Sequence, residues 1–218
     1  MFDSIAGQYD LMNRVMTLGQ DQRWRKFVVE RAGDAHGGRV LDLATGTGDI
    51  AALYKASFPE ATVIGGDFSQ NMLAEARKRF AERRIAWQAC DANFLPFTDN
   101  FFRAVTFGYL LRNVDDVPRV LAEVYRVLDQ GGRIVCLDTT PPKKNLLYPF
   151  IRAYLRWGIP LLGRLIASDE DAYAYLTGST MGFYTAEDLA EAFGRAGFRK
   201  VGFKRFMLGT IAVHWGEK

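Results

Sequence analysis

The sequence predicts an α/β fold: a doubly wound, mostly parallel sheet that ends in an antiparallel hairpin, with a helical insertion before the last helix. Three observations predict it. Apolar strand-like runs alternate with helix-like segments between residues 20 and 140. The first such strand leads straight into a glycine turn, Thr45-Gly46-Thr47-Gly48. The last two strand-like runs follow one another with only Gly209 at their junction.

"QDQRWRKFVVERAG" (20–33) alternates charge with an apolar face and reads as a helix. "GRVLDLA" is a strand, with Val40, Leu41 and Leu43 suited to burial in a parallel sheet. A helix from Asp49 to Ala56 follows the glycine turn. "ATVIGGD" (61–67) is a second strand, and "SQNMLAEARKRFAER" (69–83) a helix with Ser69 as its N-cap. "IAWQACDA" (85–92) and "FFRAVTFGYLL" (101–111) are the third and fourth strands. "VPRVLAEVYRVLDQGG" (117–132) is a helix that Gly131 and Gly132 stop, and "RIVCLDTT" (133–140) is the fifth strand. Residues 141–182 break the rhythm with an apolar, aromatic insertion. "TAEDLAEAFGRAGF" (185–198) is then a helix with Thr185 as N-cap and Asp188 as its capping-box partner. "RKVGFKRFML" and "GTIAVHW" form the closing hairpin. No repeat, low-complexity tract or linker divides the chain, so one domain is expected over residues 1–218.

The glycine turn indicates a nucleotide. Gly46 and Gly48 let the backbone turn tightly and approach a ligand, and the following helix points its N-terminus at it. The spacing reads G-x-G-x-x-A with Ala51 in the third place, and Asp67 stands about twenty residues on, where an acid accepts ribose hydroxyls. Asp67 and Asp91 both end strands, so they face the same crevice as the turn. A nicotinamide cofactor satisfies these features too, although a late hairpin is foreign to an ordinary nicotinamide domain.

Composition narrows the class. The chain has 218 residues, 49% hydrophobic and 24% charged, enough for a folded domain with a sizeable core. Its 28 basic and 25 acidic residues give a net charge of +3, too balanced to indicate nucleic acid. Cys90 and Cys136 lie far apart in apolar runs and are expected as buried, reduced thiols. With only His36 and His214, no histidine metal site is expected. Met1 leads directly into "FDSIAGQYD" without a signal peptide, and no apolar run is long enough to span a bilayer. A cytoplasmic protein is expected, with a peripheral place at the inner face of the membrane left open.

The order of elements resembles the Rossmann-like S-adenosylmethionine-dependent methyltransferases, whose sheet ends in an antiparallel hairpin. "VLDLATGTGD" looks like their first motif, "GGDFSQNML" like the ribose-binding strand end and "CDANFLPFTDNFF" like the adenine loop. "FDSIAGQYDLMNRVMTLGQDQRWRK", "LLRNV" (110–114), "SDEDAYAYL" (168–176) and "GTIAVHWG" narrow the resemblance, over nearly the whole chain, to the menaquinone/ubiquinone-biosynthesis C-methyltransferases of the UbiE/MenG type.

That resemblance implies S-adenosylmethionine as cofactor, with Thr47 at its methionine end, Asp67 at the ribose hydroxyls, Asp91 and Ala92 at the adenine, Gly108 close by, and Thr45, Gly46, Gly48 and Phe68 also at the cofactor. It implies Arg112 and Asn113 as catalytic. Arg112 stays protonated, so its role is to stabilise a developing phenolate, with Asn113 orienting a water. On residue chemistry alone, Arg112 equally suits a structural pair with Asp115 or Asp116. Tyr9, with Asp10, in an N-terminal lid (residues 1–36), and Tyr109, Asp169 and Tyr173 are implied at the substrate; on residue chemistry alone Tyr9 equally suits ordinary packing, and Asp169 and Tyr173, which share a helical face with Asp171 and Tyr175 nearby, equally suit a solvated helix face. His214 in the last strand reads as structural. Gly108 stands where this family frequently has serine, and Arg103 where an acid is usual.

The implied partner is a prenylated quinol, most specifically demethylmenaquinol. The insertion (141–182), with Arg152, Arg156 and Arg164 among leucines and aromatics, covers the sheet and roofs the pocket, or makes a transient membrane-surface contact. A homodimer is left open. Three other functions share part of the pattern: methylation of another lipid or polyketide phenol, nicotinamide oxidoreduction, and a non-catalytic cofactor-binding assembly subunit.

Overall fold

The computed structural model describes residues 17, 19–143, 146, 148–153 and 180–218. The strands are β1 (Arg39–Leu43), β2 (Thr62–Asp67), β3 (Ile85–Ala89), β4 (Phe102–Gly108), β5 (Leu128–Thr139), β6 (Arg199–Phe206) and β7 (Ile211–Glu217). The described helices are α1 (Asp21–Ala32), α2 (Asp49–Ser57), α3 (Gln70–Arg79), α4 (Val117–Val127), α5 (Tyr148–Ala153) and α6 (Ala186–Arg195). The seven strands form one sheet in the order β3-β2-β1-β4-β5-β7-β6. β1 to β5 are parallel, and β7 runs antiparallel between β5 and β6. The doubly wound sheet with a closing hairpin is therefore the observed architecture.

Parallel strands buried on both faces read as nearly continuous apolar runs, and β1, β4 and β5 do so. Leu41, Leu43, Val105, Phe107, Ile134 and Cys136 face one core, which α4 and α6 cover with Val120, Leu121, Val124, Leu189 and Phe193. Val40, Ala104, Val135 and Leu137 face the other, which α1 and α2 cover with Trp24, Val28, Val29, Ile50 and Tyr54. Each such side chain contributes roughly 1.5–3 kcal/mol on burial, so the two-sided core fixes which strand ends lie together.

Local signals set the helix starts. Ser69 caps α3 by accepting from Met72 N at 3.2 Å. Asp116 caps α4 by accepting from Arg119 N at 2.9 Å, with Pro118 in the first turn. Thr185 caps α6 by accepting from Asp188 N at 3.1 Å, and its hydroxyl donates to the Asp188 carboxylate at 2.6 Å.

The strand read over 101–111 ends at Gly108, the helix read over 69–83 ends at Arg79, and a larger departure lies between α4 and β5. α4 ends at Val127, not at the glycine pair, and β5 begins at Leu128. Leu128 pairs with Phe102, and the register then shifts so that Arg133 pairs with Ala104. Gly131, with φ of +73°, lies in this irregularity rather than stopping a helix. The cause is the end of β7: Lys218 N donates to Gly132 O and Gly131 N donates to Lys218 O, both at 2.9 Å. The Lys218 ammonium adds a hydrogen bond to Leu128 O at 2.8 Å. Long-range pairing thus outweighs the helical periodicity of residues 128–130.

Because Gly131 holds a left-handed conformation in open space, Gly131→Ala is expected to cost roughly 1–2 kcal/mol of unfolding free energy from backbone strain alone. Urea denaturation of the two proteins checks this; equal midpoints would mean the irregularity does not need a left-handed residue.

Candidate functional site

The parallel strands end beneath a cavity of about 860 Å³. Such a volume suits a small molecule or cofactor, and a crevice beyond the carboxyl ends of parallel strands is where this architecture binds one. Two strands enter the rim through left-handed residues: Ala44, after β1, has φ of +50°, and Tyr109, after β4, has φ of +60°. Non-glycine residues in this region store strain, and such strain gathers at binding sites.

The floor is built around a buried acid. Asp42, 2% exposed, accepts from Thr45 Oγ1 at 2.6 Å, Thr106 Oγ1 at 2.8 Å and Ala51 N at 3.2 Å. One carboxylate thus ties β1 to the glycine turn, to β4 and to the first turn of α2. Burial pushes the Asp42 carboxyl up to about 6, against the opposing effect of these hydrogen bonds and of Arg25.

The glycines of the turn have different duties. Gly46 has φ of +55°, and a Cβ there would stand in open space beside the cavity. Gly48 has φ of +89°, and a Cβ there would lie 2.6 Å from the Trp87 ring. Gly46 gives ligand access, whereas Gly48 lets α2 pack closely against β3.

Asp67 closes the rim from β2. Its Oδ2 accepts from Gly46 N at 2.8 Å and its Oδ1 from Ser69 N at 2.9 Å. Asp91 is fixed in the same manner: its Oδ1 accepts from Asn93 N at 2.8 Å and Asn93 Nδ2 at 2.9 Å.

The cavity wall includes Thr45, Gly46, Thr47, Asp67 and Phe68, and beyond them Asp91, Ala92, Gly108, Tyr109 and Asn113. Residues predicted from four separate strand ends are thereby brought together. Phe68 is 81% exposed, an aromatic face available to a ligand. At Gly108 a Cβ would lie 3.2 Å from Ile50 Cδ1, so isoleucine already fills the side that a serine would use. Gly48 is a structural neighbour of the wall rather than part of it. Arg103 lies at the surface, 3.9 Å from Asp129.

Arg112 takes a different ion-pair partner from those expected in the sequence. It sits in the 3-10 turn Leu111–Asn113, its side chain 7% exposed, with Nε 3.9 Å from Asp138 Oδ1. Its partner is therefore Asp138 at the end of β5, not Asp115 or Asp116. Asp138 is 1% exposed and also accepts from Thr139 N at 2.8 Å and Arg112 N at 3.3 Å. Burial pushes its carboxyl up to about 6 against the charge of Arg112. Arg112 Nε and Nη1 have no hydrogen-bond partner among the described residues. The guanidinium lies 4.9 Å from the centre of the Tyr109 ring, which itself faces the cavity, but Arg112 is not on the described wall. Asn113 is, and its Nδ2 donates to Tyr109 O at 2.7 Å.

His214 is buried beside Phe193 and Phe203, with Nε2 2.9 Å from Ala186 O, where it donates to the carbonyl. Burial pushes its pKa down to about 4, so it stays neutral and structural. Cys90 and Cys136 are free and buried, and burial raises both thiols, that of Cys90 to about 12. Tyr9, Asp10, Asp169, Asp171, Tyr173 and Tyr175 lie outside the described residues.

Two cavity residues escaped the sequence reading. Asp42 is recognisable only through its partners, one of which, Thr106, lies 64 positions away. Arg25 looks like one more charge on an amphipathic helix, yet α1 carries it to the wall. There it pairs with Asp49 and approaches Asp21 at 3.7 Å.

Comparison with known proteins adds an independent line. The model of the ubiE/COQ5 methyltransferase family matches residues 1–218. A ubiquinone/menaquinone biosynthesis C-methyltransferase UbiE of Desulfotalea psychrophila is 71% identical over 218 residues, covering 100% of this chain and 89% of that protein. A demethylmenaquinone methyltransferase of Thermus thermophilus is 41% identical, with 100% of both chains covered. Among solved structures, a chain from the complex of the Haloferax volcanii Trm112 methyltransferase activator with a methyltransferase superposes with a TM-score of 0.71 at 18% identity, covering 99% of this chain and 96% of that one. A Haemonchus contortus phosphoethanolamine N-methyltransferase 2 in complex with S-adenosylmethionine gives 0.67 at 17% identity, over 90% of this chain and 52% of that one. These structures share the fold.

The raised Asp42 carboxyl has a consequence for stability. Its folded value, about 6, lies above the ordinary 3.8, so folding binds its proton more tightly. The stability this confers is full below about pH 4 and is lost as pH rises through 6. Asp42→Asn removes that titration and keeps a polar group facing both threonines. The unfolding free energy of wild type minus that of Asp42→Asn is expected to fall between pH 4 and pH 7 by on the order of 1–3 kcal/mol. A difference that stays flat across the window would show that Asp42 does not titrate there.

Proposed function

This chain belongs to the ubiE/COQ5 methyltransferase family, and from that premise we propose that it converts a prenylated demethylmenaquinol to menaquinol by methylating a ring carbon. It is an S-adenosylmethionine-dependent C-methyltransferase of quinone biosynthesis. The observation that carries the reading is the convergence of the glycine turn, Asp67, Asp91 and Gly108 on one cavity at the strand ends. The open space at Gly46 and the backbone-anchored Asp67 fit a ribose-bearing cofactor. The antiparallel β7 between β5 and β6 is foreign to the parallel dinucleotide sheet, and removes the support for nicotinamide chemistry.

S-adenosylmethionine supplies a methyl group made electrophilic by positive sulfur. The protein supplies orientation and charge. In our proposal Asp67 accepts the ribose hydroxyls, Phe68 covers that end, and Asp91 with Ala92 borders the adenine. Thr45, Gly46, Thr47, Gly48 and Gly108 shape the side nearer the reacting methyl. The acceptor ring carbon becomes nucleophilic as its phenol ionises, so the oxygen needs a nearby positive donor. Arg112 serves there, with Asn113 orienting a water and Tyr109 forming the wall between them. The two unpartnered nitrogens of Arg112, Nε and Nη1, support this role. Tyr9, Asp169 and Tyr173 complete the quinol side in the same proposal. The substrate tail resides in the bilayer, so the proposal includes a transient contact with the membrane surface. It treats residues 1–218 as one functional domain. No described helix is long and apolar enough to cross a membrane.

The Asp138 pair favours a second reading of Arg112, as a purely structural cation. Removing one partner of a buried pair typically costs about 3–5 kcal/mol, because the other charge is stranded. The readings separate in a turnover assay with purified protein, labelled cofactor and a panel of reduced quinols of different rings and chain lengths. Transfer of label to demethylmenaquinol carbon supports the function; transfer only to a non-quinol phenol, or to none, overturns it.

Two variants extend the assay. Arg112→Ala is expected to lower kcat by on the order of 10²–10³ with little change in cofactor affinity, and Arg112→Lys to recover only part, because the planar fork is lost. Near-wild-type kcat per folded Arg112→Ala molecule, with a lower melting temperature, would assign the residue to structure alone. Asp67→Ala is expected to lose roughly 2–4 kcal/mol of S-adenosylmethionine affinity. Calorimetry that finds unchanged affinity in the folded variant rejects the ribose role.

A further inference from the structure

The charge on the cavity wall is lopsided. Asp42, Asp49, Asp67, Asp91 and Asp115 all line it, and Arg25 is the one cation among the described lining residues. The cofactor is lopsided in the complementary sense: its sulfonium and ammonium groups are positive, and its amino-acid tail ends in one carboxylate. A wall of acids suits the two positive groups. The same wall repels the carboxylate, which needs a positive partner close by.

We infer that Arg25 receives the carboxylate of the cofactor's amino-acid tail; the inference rests on the cofactor reading above. Its position favours this. α1 is anchored by buried Trp24, Val28 and Val29, which fixes the helix face that carries Arg25. The Arg25 side chain is 12% exposed, so its charge acts in a poorly hydrated place. It meets Asp49, the residue that follows Gly48 and opens α2. Arg25 therefore stands where the glycine turn becomes a helix, beside the proposed methionine end. Asp49 has a second cation, Arg79 at 3.0 Å, so its neutralisation does not depend on Arg25 alone. A guanidinium has five N–H donors, and contacts with Asp49 and Asp21 leave capacity for a third carboxylate.

The test compares two ligands that differ by that carboxylate: S-adenosylmethionine and decarboxylated S-adenosylmethionine, which keeps the sulfonium and the amine. Dissociation constants are measured by calorimetry for the wild type, Arg25→Gln and Arg25→Lys, with melting temperatures of the unliganded proteins. Arg25→Gln is expected to weaken S-adenosylmethionine roughly 10- to 100-fold, and to leave the decarboxylated ligand unchanged or bound more tightly, since a nearby positive charge has gone. Arg25→Lys is expected to fall between. Parallel loss for both ligands in either variant overturns the inference and makes Arg25 a support for α2. If Arg25→Gln does not fold, the Arg25→Lys comparison decides: selective weakening of S-adenosylmethionine supports the inference, and equal effects on both ligands overturn it. A wild type that binds neither ligand overturns the cofactor reading, and the inference with it.

Discussion

The site depends first on the hydrogen bonds that converge on the Asp42 carboxylate. A buried acid is costly, and this one is tolerated because Thr45, Thr106 and Ala51 all donate to it. Those three donors belong to the glycine turn, to β4 and to α2. Satisfying one carboxylate therefore sets the spacing between the turn and the neighbouring strand end. Gly46 N is then in place to meet Asp67, and β2 is drawn into the same arrangement. The cavity is the space left above groups already bound to one another.

This order of construction explains why the site is preorganised without being neutral. Asp67 and Asp91 are held by backbone N–H groups of the loops that follow them. Their positions are fixed by short-range geometry. The acids lie in one cleft, where fields are focused and a cationic ligand is favoured. Arg112 and Asp138 form a second polar unit, behind Tyr109 and on the α4 and α6 side of the sheet.

Much of this was legible in the sequence. Strand and helix types followed from apolar periodicity, and Ser69 and Thr185 marked helix starts that the structure repeats. The turn, Asp67 and Asp91 could be placed in one crevice because parallel strands bring their carboxyl ends together. Pairings between distant segments were not legible. Residues 128–130 look helical until Lys218 is seen to bind the backbone at Leu128 and Gly132. Arg112 has acids at positions 115 and 116, yet the nearer partner in space comes from β5, 26 positions along. Arg25 was hidden among the charges of an amphipathic helix. Side chains selected by a neighbouring element leave no periodic trace in their own.

The central claim, that the cavity above Asp42 holds the methyl donor, is tested most directly by a crystal structure with S-adenosylhomocysteine bound. The account predicts ribose hydroxyls within hydrogen-bonding reach of Asp67, adenine beside Asp91 and the sulfur near the glycine turn and Gly108. A cofactor bound elsewhere, or in this cavity with its ribose turned away from Asp67, would contradict it.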